Sequence, residues 1–338
     1  MRPEIEYNAL VADKKGNGEM ELVMKTLQTS SLPDHDVLIR VHYSSLNYKD
    51  GLSARGNSGV TKSYPHTPGI DAAGVVEWSS DHRYKPGEKV LVTGYDLGQN
   101  TPGGFGEYVS VPGDWIVPLP GTLSLRDSMI LGTAGFTAAY GVKKIVDEGI
   151  EPGDKSVLVT GATGGVGSLA VAILSRIGYR VAAVTGKEEQ ESFLKSLGAY
   201  EILRRESVTE ISSAPMHSAR WVASIDTVGG GMLDAVIRQT AHNGVVACCG
   251  NILGGRLETS IYPFILRGLS LMGIDSGSCL MSDRIEIWKN LAGDWKPYDL
   301  EKLCHESMPG NLPSEIEKIL EGQQIGRTLV THVIDGPV

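Results

Sequence analysis

Four cysteines occur among 338 residues, and none of them forms a C-x-x-C pair. Cys248 and Cys249 are adjacent inside the apolar run VVACCG, while Cys279 and Cys304 stand alone. That usage argues against a disulfide framework and against a thiolate metal knot, and it predicts reduced thiols in a cytoplasmic chain. The eight histidines include no H-x-H and no H-E-x-x-H spacing, so nothing local asks for zinc. Basic residues are also short: 31 Lys and Arg against 40 Asp and Glu leave a net charge of −9. This balance disfavours nucleic acid and anionic membranes as general partners and leaves room only for a local cationic pocket. No apolar run approaches 18 residues, and the first sixteen residues carry no signal-peptide core.

Glycine, by contrast, is abundant at 42 residues and follows no collagen-like period. It punctuates two textures. The first third reads as short strands bounded by Pro-Gly and Gly-Gly turns, at 37–46, 70–80, 89–95 and 105–112, which predicts an antiparallel or barrel-like β domain. From about residue 129 strands and helices alternate. Strands are expected at 156–160, 180–185, 200–204, 221–228, 244–250 and 269–275, with helices at 166–177 and 187–197. Apolar strands in such an order predict a doubly wound parallel sheet. Helices near 284–290 and 313–321 and a last strand over 327–334 close the chain, and that strand is expected to return to the first domain. The boundaries this implies are 1–128, 129–278 and 279–338.

The segment SVLVTGATGGVGSLAVAIL sets Gly161, Gly164, Gly165 and Gly167 between an apolar strand and an amphipathic helix. Glycines there allow a tight strand exit and close approach of a pyrophosphate to the backbone, and the helix N-terminus favours the anion. No G-K-[ST] follows, which excludes a P-loop. The second strand ends Thr185-Gly186-Lys187, with a hydroxyl and a cation where an NAD enzyme places a carboxylate, and Arg204 and Arg205 follow the third strand. A ribose 2′-phosphate held by Lys187 and one of the two arginines predicts NADPH; Glu188 and Glu189 weigh weakly the other way.

The blocks SSLNYKD, PGIDAAG, GGFGEYVSVPGDW, GTAGFTAA, TGATGGVG, DTVGG and YPFILRG together resemble the medium-chain dehydrogenase/reductase superfamily. Within it, they are similar to the zinc-free quinone oxidoreductase subgroup that includes the NADPH-dependent acryloyl-CoA reductases. The resemblance implies an α/β fold with a GroES-like β-barrel catalytic domain, a Rossmann domain and a cleft between them, and a homodimer joined through the sheet edge near Leu269–Asp275. Zinc relatives carry G-H-E where this chain has Gly69-Ile70-Asp71, which implies metal-free chemistry. The subgroup's cofactor contacts fall on Tyr48, on Thr163, Gly164, Gly165 and Val166, and on Thr185, Gly186, Lys187, Arg205, Asn251, Ile265 and Ser276. An expected asparagine aligns with Gly322, leaving Gln323 or Gln324 as substitutes. Asn47 and Tyr48 are the candidate catalytic pair. A plain helix start, with Asn47 capping and Tyr48 packing, is the competing account. Lys49, Arg55 and Lys62 are candidates for coenzyme A phosphates. The expected activity is reduction of the 2,3 double bond of short enoyl-CoA thioesters such as acryloyl-CoA. Quinone reduction is the alternative, and a non-catalytic NADPH-binding protein is a third.

Overall fold

The computed structural model describes residues Met1–His332. The chain divides into two units. One comprises Met1–Thr133, Gly277–Ile285 and the stretch from Leu300 onward; the other comprises Ala134–Ser276 and Glu286–Asp299. The stretch 286–299 therefore goes with the second unit, away from the C-terminal segment where the sequence reading set it. Its anchor is Trp288, fully buried and stacked on Phe136 with ring centroids 6.1 Å apart.

In the first unit a seven-stranded sheet is built on the long strand Val37–Leu46. This strand pairs antiparallel with Asp71–Ser79, Tyr108–Val111 and Arg327–Thr331. The last pairing joins the chain's C-terminal strand to its N-terminal sheet. Of the strand expected over 327–334, residues 333 and 334 lie outside the described residues. Inward residues Val37, Ile39, Val41, Ala72, Val76, Val90, Val92 and Val109 form one core. Burying each such valine or isoleucine stabilises by roughly 1.5–3 kcal/mol. A hairpin of Glu6–Lys14 and Met20–Gln28 was not anticipated, although the K-K-G-N-G turn between two alternating runs is its signature.

The second unit carries a six-stranded, all-parallel sheet. In space the strands run Glu201–Arg204, Val181–Thr185, Ser156–Val159, Trp221–Asp226, Thr240–Cys248 and Ser270–Gly273. Numbered along the chain this is the order 3-2-1-4-5-6 of a dinucleotide-binding sheet, with its switch point beside Ser156–Val159. Val157, Leu158 and Val159 are all fully buried, because helices cover both faces of a parallel sheet. Helix Gly165–Arg176 buries Gly167 through Leu174 without interruption. Among the described residues, no helix is long and apolar enough to cross a membrane.

Candidate active site

The sheet gathers its glycine turn at the C-terminal edge. Gly161 adopts φ +59°, and a Cβ on Gly167 would fall 2.2 Å from the Gly161 carbonyl oxygen, so the helix reaches this close only with glycine. Gly164 caps the helix in an extended conformation, leaving the N–H groups of its first turn, Gly165 to Gly167, without i−4 partners in the helix. A Cβ there would meet only the Gly161 oxygen, at 3.3 Å. Such a turn fits a pyrophosphate.

Two strand exits are tied together behind it. Thr160 Oγ1 donates to buried Asp226 (2.7 Å) and accepts from the Thr227 N–H (3.0 Å), while Thr227 Oγ1 donates to the Thr160 carbonyl (2.9 Å). Asp226 also accepts the Gly229 N–H at 2.7 Å. Burial pushes its carboxyl above the usual range, against these bonds, which favour the anion. The DTVGG block thus braces the glycine loop, a role the residues alone did not disclose.

At the end of the second strand, Thr185 Oγ1 lies 3.3 Å from Thr163 Oγ1 and accepts the Lys187 N–H at 3.0 Å. The Arg205 guanidinium lies against Gly186, where a Cβ would come within 2.7 Å of its Cζ. Among the described residues Arg205 has no acidic partner, whereas Arg204 is paired with Glu188 at 2.6 Å. Of the two arginines, Arg204 is the one engaged by an acid, and Glu188 is engaged with it. Burial and the neighbouring Arg205 lower the Lys187 pKa, with Glu189 opposing. Two adjacent cations, one without a counter-ion, suit a dianionic phosphate. Asn251 is exposed, with its Cα close against Gly229; Ile265 is 64% exposed on helix Tyr262–Arg267; Ser276 accepts a bond from Thr137 at 2.8 Å.

In the first unit, strand Val37–Leu46 runs directly into Asn47 and the helix Tyr48–Ala54. Tyr48 is 39% exposed, so its ring is no core element. Asn47 differs from expectation. It is buried, and its amide is fully engaged: Nδ2 donates to Asp71 Oδ2 (2.8 Å) and the Ser45 carbonyl (3.2 Å), and Oδ1 accepts from Arg327 (3.3 Å). It cannot bond a substrate without breaking these bonds, so its place in the candidate catalytic pair is withdrawn. Asp50, fully buried, accepts the N–H groups of Asn47 (2.8 Å), Ile70 (2.8 Å) and Gly69 (3.2 Å). Burial and the charge of Asp71 push it up to about 7.

The remaining expectations fall on the surface. Arg55 is paired with Glu317 at 3.0 Å, and Lys49 and Lys62 are exposed. Gln323 donates to Glu321 at 2.8 Å, and Gln324 donates to the Gly326 carbonyl and to Thr328 Oγ1. Among the described residues no group of three His, Cys, Asp or Glu side chains is placed to hold a metal ion.

A GroES-like unit, a 3-2-1-4-5-6 sheet with its glycine turn and a Tyr-bearing helix start define a class, and the chain belongs to it: the medium-chain dehydrogenase/reductase superfamily. Residues 33–121 match the alcohol dehydrogenase GroES-like domain and residues 165–293 the zinc-binding dehydrogenase family. Nearer relatives narrow the branch. The chain is 44% identical to the acrylyl-CoA reductase AcuI of Ruegeria pomeroyi over 96% of this chain and 98% of that one. It is 43% identical to YhfP of Bacillus subtilis, named as a quinone oxidoreductase, over 94% and 98%. The structure of the yhdH oxidoreductase from Salmonella enterica in complex with NADP superposes with a TM-score of 0.93 at 43% identity, covering 96% of this chain and all of that one.

Proposed function

We propose that this chain is a cytoplasmic NADPH-dependent reductase of short 2-enoyl-CoA thioesters, converting acryloyl-CoA to propanoyl-CoA without a metal. The observation that carries the cofactor reading is the corner at the end of the second strand, where the Arg205 guanidinium lies against Gly186 beside Lys187. The likeness to AcuI along nearly the whole chain supports the substrate. The glycine turn would hold the pyrophosphate, and Lys187 with Arg205 the 2′-phosphate. NADPH, when bound, supplies a hydride for the β-carbon of the enoyl group. Negative charge then builds on the thioester oxygen, and a proton must reach the α-carbon. Tyr48 is the group of this chain suited to both tasks, since a phenol donates a hydrogen bond at pH 7 without ionising.

Quinone reduction is the second reading, favoured by the likeness to YhfP. NADPH oxidation by chelator-treated protein, with acryloyl-CoA, with a panel of quinones and with no acceptor, separates the readings. Turnover of acryloyl-CoA is expected; oxidation with quinones alone would overturn the first reading, and none with any acceptor would leave the non-catalytic one.

We also read the chain as a homodimer. Ser270–Gly273 is an edge strand of the parallel sheet, and Ile261, Tyr262, Ile265 and Leu266 are all exposed in the helical segment just before it. Pairing of two such edges would cover unpaired backbone and apolar surface together. Sedimentation at twice the single-chain mass is expected, and a single-chain mass at micromolar concentration would exclude it.

A further inference from the structure

Asp71 opens its strand fully buried, and groups from three separate segments converge on it. Ser45 Oγ donates to it at 2.5 Å, Asn47 Nδ2 at 2.8 Å, and Thr133 through both its N–H (2.9 Å) and its hydroxyl (2.6 Å). Arg327, itself 1% exposed, stands 3.9 Å away and donates to the carbonyls of Leu46 and Ile130 as well as to Asn47 Oδ1. Sheet register brings these groups together: Tyr43 pairs with Ala73, and Thr328 with Leu46. Even the backbone is shaped to it. Gly132 breaks its helix at φ +51°, and a Cβ there would strike Ser45 Oγ and Asp71 Oδ2 at 2.5 and 2.6 Å.

A buried carboxylate–guanidinium pair is a poor way to stabilise a fold, because apolar side chains of like volume pack there at no greater cost. What this cluster achieves is fixation of one residue. The Asn47 backbone is held by Asp50 and its side chain by Asp71 and Arg327, and Tyr48 is the next residue, the first of its helix. We propose that Asp71 is a positioning residue for the reduction: acting through Asn47, whose amide Arg327 also holds, it sets the point from which the Tyr48 hydroxyl works. The assignment rests on the reading of Tyr48 as the hydrogen-bond and proton donor.

The test is a double-mutant cycle in the full chain. Asp71→Asn keeps shape and removes charge; Thr133→Val removes one hydroxyl bond and leaves every charge in place. Each is measured in the wild-type and Tyr48→Phe backgrounds for kcat and KM with acryloyl-CoA, for NADPH affinity, and for folding by circular dichroism. Asp71→Asn is expected to lower kcat by about 10-fold with Tyr48 present and by under about twofold in the Tyr48→Phe background, with NADPH affinity kept within about twofold. Thr133→Val should show the same coupling on a smaller scale, and Thr133→Ser should restore kcat. Should Asp71→Asn fail to fold, the Thr133 pair decides. Equal losses in both backgrounds, or full kcat in folded variants, would overturn the proposal. If the wild type reduces only quinones, the substrate reading fails by itself. The same cycle run on a quinone then decides Asp71: coupling to Tyr48 upholds the assignment and additivity overturns it.

Discussion

Tyr48→Phe is expected to lower kcat with acryloyl-CoA by about 100-fold, equivalent to about 2.7 kcal/mol of transition-state stabilisation. The substitution removes one hydroxyl from a ring that is already 39% exposed, so packing and cofactor affinity should change little. The loss is large because charge appears on the thioester oxygen only as hydride arrives; a donor there stabilises the transition state more than the bound substrate. A quinone needs no proton on carbon, and its reduction should fall less in the same variant. Steady-state kinetics with both acceptors checks this. An unchanged kcat would remove Tyr48 from the chemistry and leave the substrate assignment standing.

Lys187→Ala combined with Arg205→Ala is expected to weaken NADPH by about 10- to 150-fold while leaving NADH nearly unaffected. A charge-assisted contact to phosphate contributes about 1.5–3 kcal/mol, and the exposure of Arg205 draws its share toward the low end by salt screening. Crowding of the two cations enlarges the effect: a phosphate relieves the repulsion that, with burial, holds Lys187 below its ordinary pKa. Fluorescence titration of both cofactors at two salt concentrations reads the result. Equal binding of NADH and NADPH by the wild type, or an unaltered ratio in the double variant, would refute the 2′-phosphate assignment.

The parallel sheet was legible because its strands are buried on both faces and therefore read as unbroken apolar runs; the observed strands start and end within a few residues of expectation, the widest departure being Thr240–Cys248 against 244–250. The glycine turn was legible for a similar reason, since strand, turn and helix follow one another in the chain. Among the helices that went unread are Leu125–Asp147 and Gly230–Gln239. The first is broken at Gly132, and the second opens on glycines that look like loop. The stretch 286–299 was set with the wrong unit because only the burial of Trp288 shows where it packs.

What the sequence determined by itself is everything carried by neighbours along the chain: the β-rich first third, the α/β texture, the glycine turn and the hydroxyl and cation that end the second strand. What only the tertiary structure decided is which charges are buried and with whom. Arg204 and Arg205 are adjacent in the chain, yet one is tied to Glu188 and the other lies on Gly186. Asn47 and Arg327 lie 280 positions apart and bond each other. In a list of residues an aspartate or arginine reads as solvated surface, because charged side chains are seldom buried unless paired. Asp71 and Arg327 are two of the exceptions, and the pairing that permits their burial exists only once strand register has brought distant segments together.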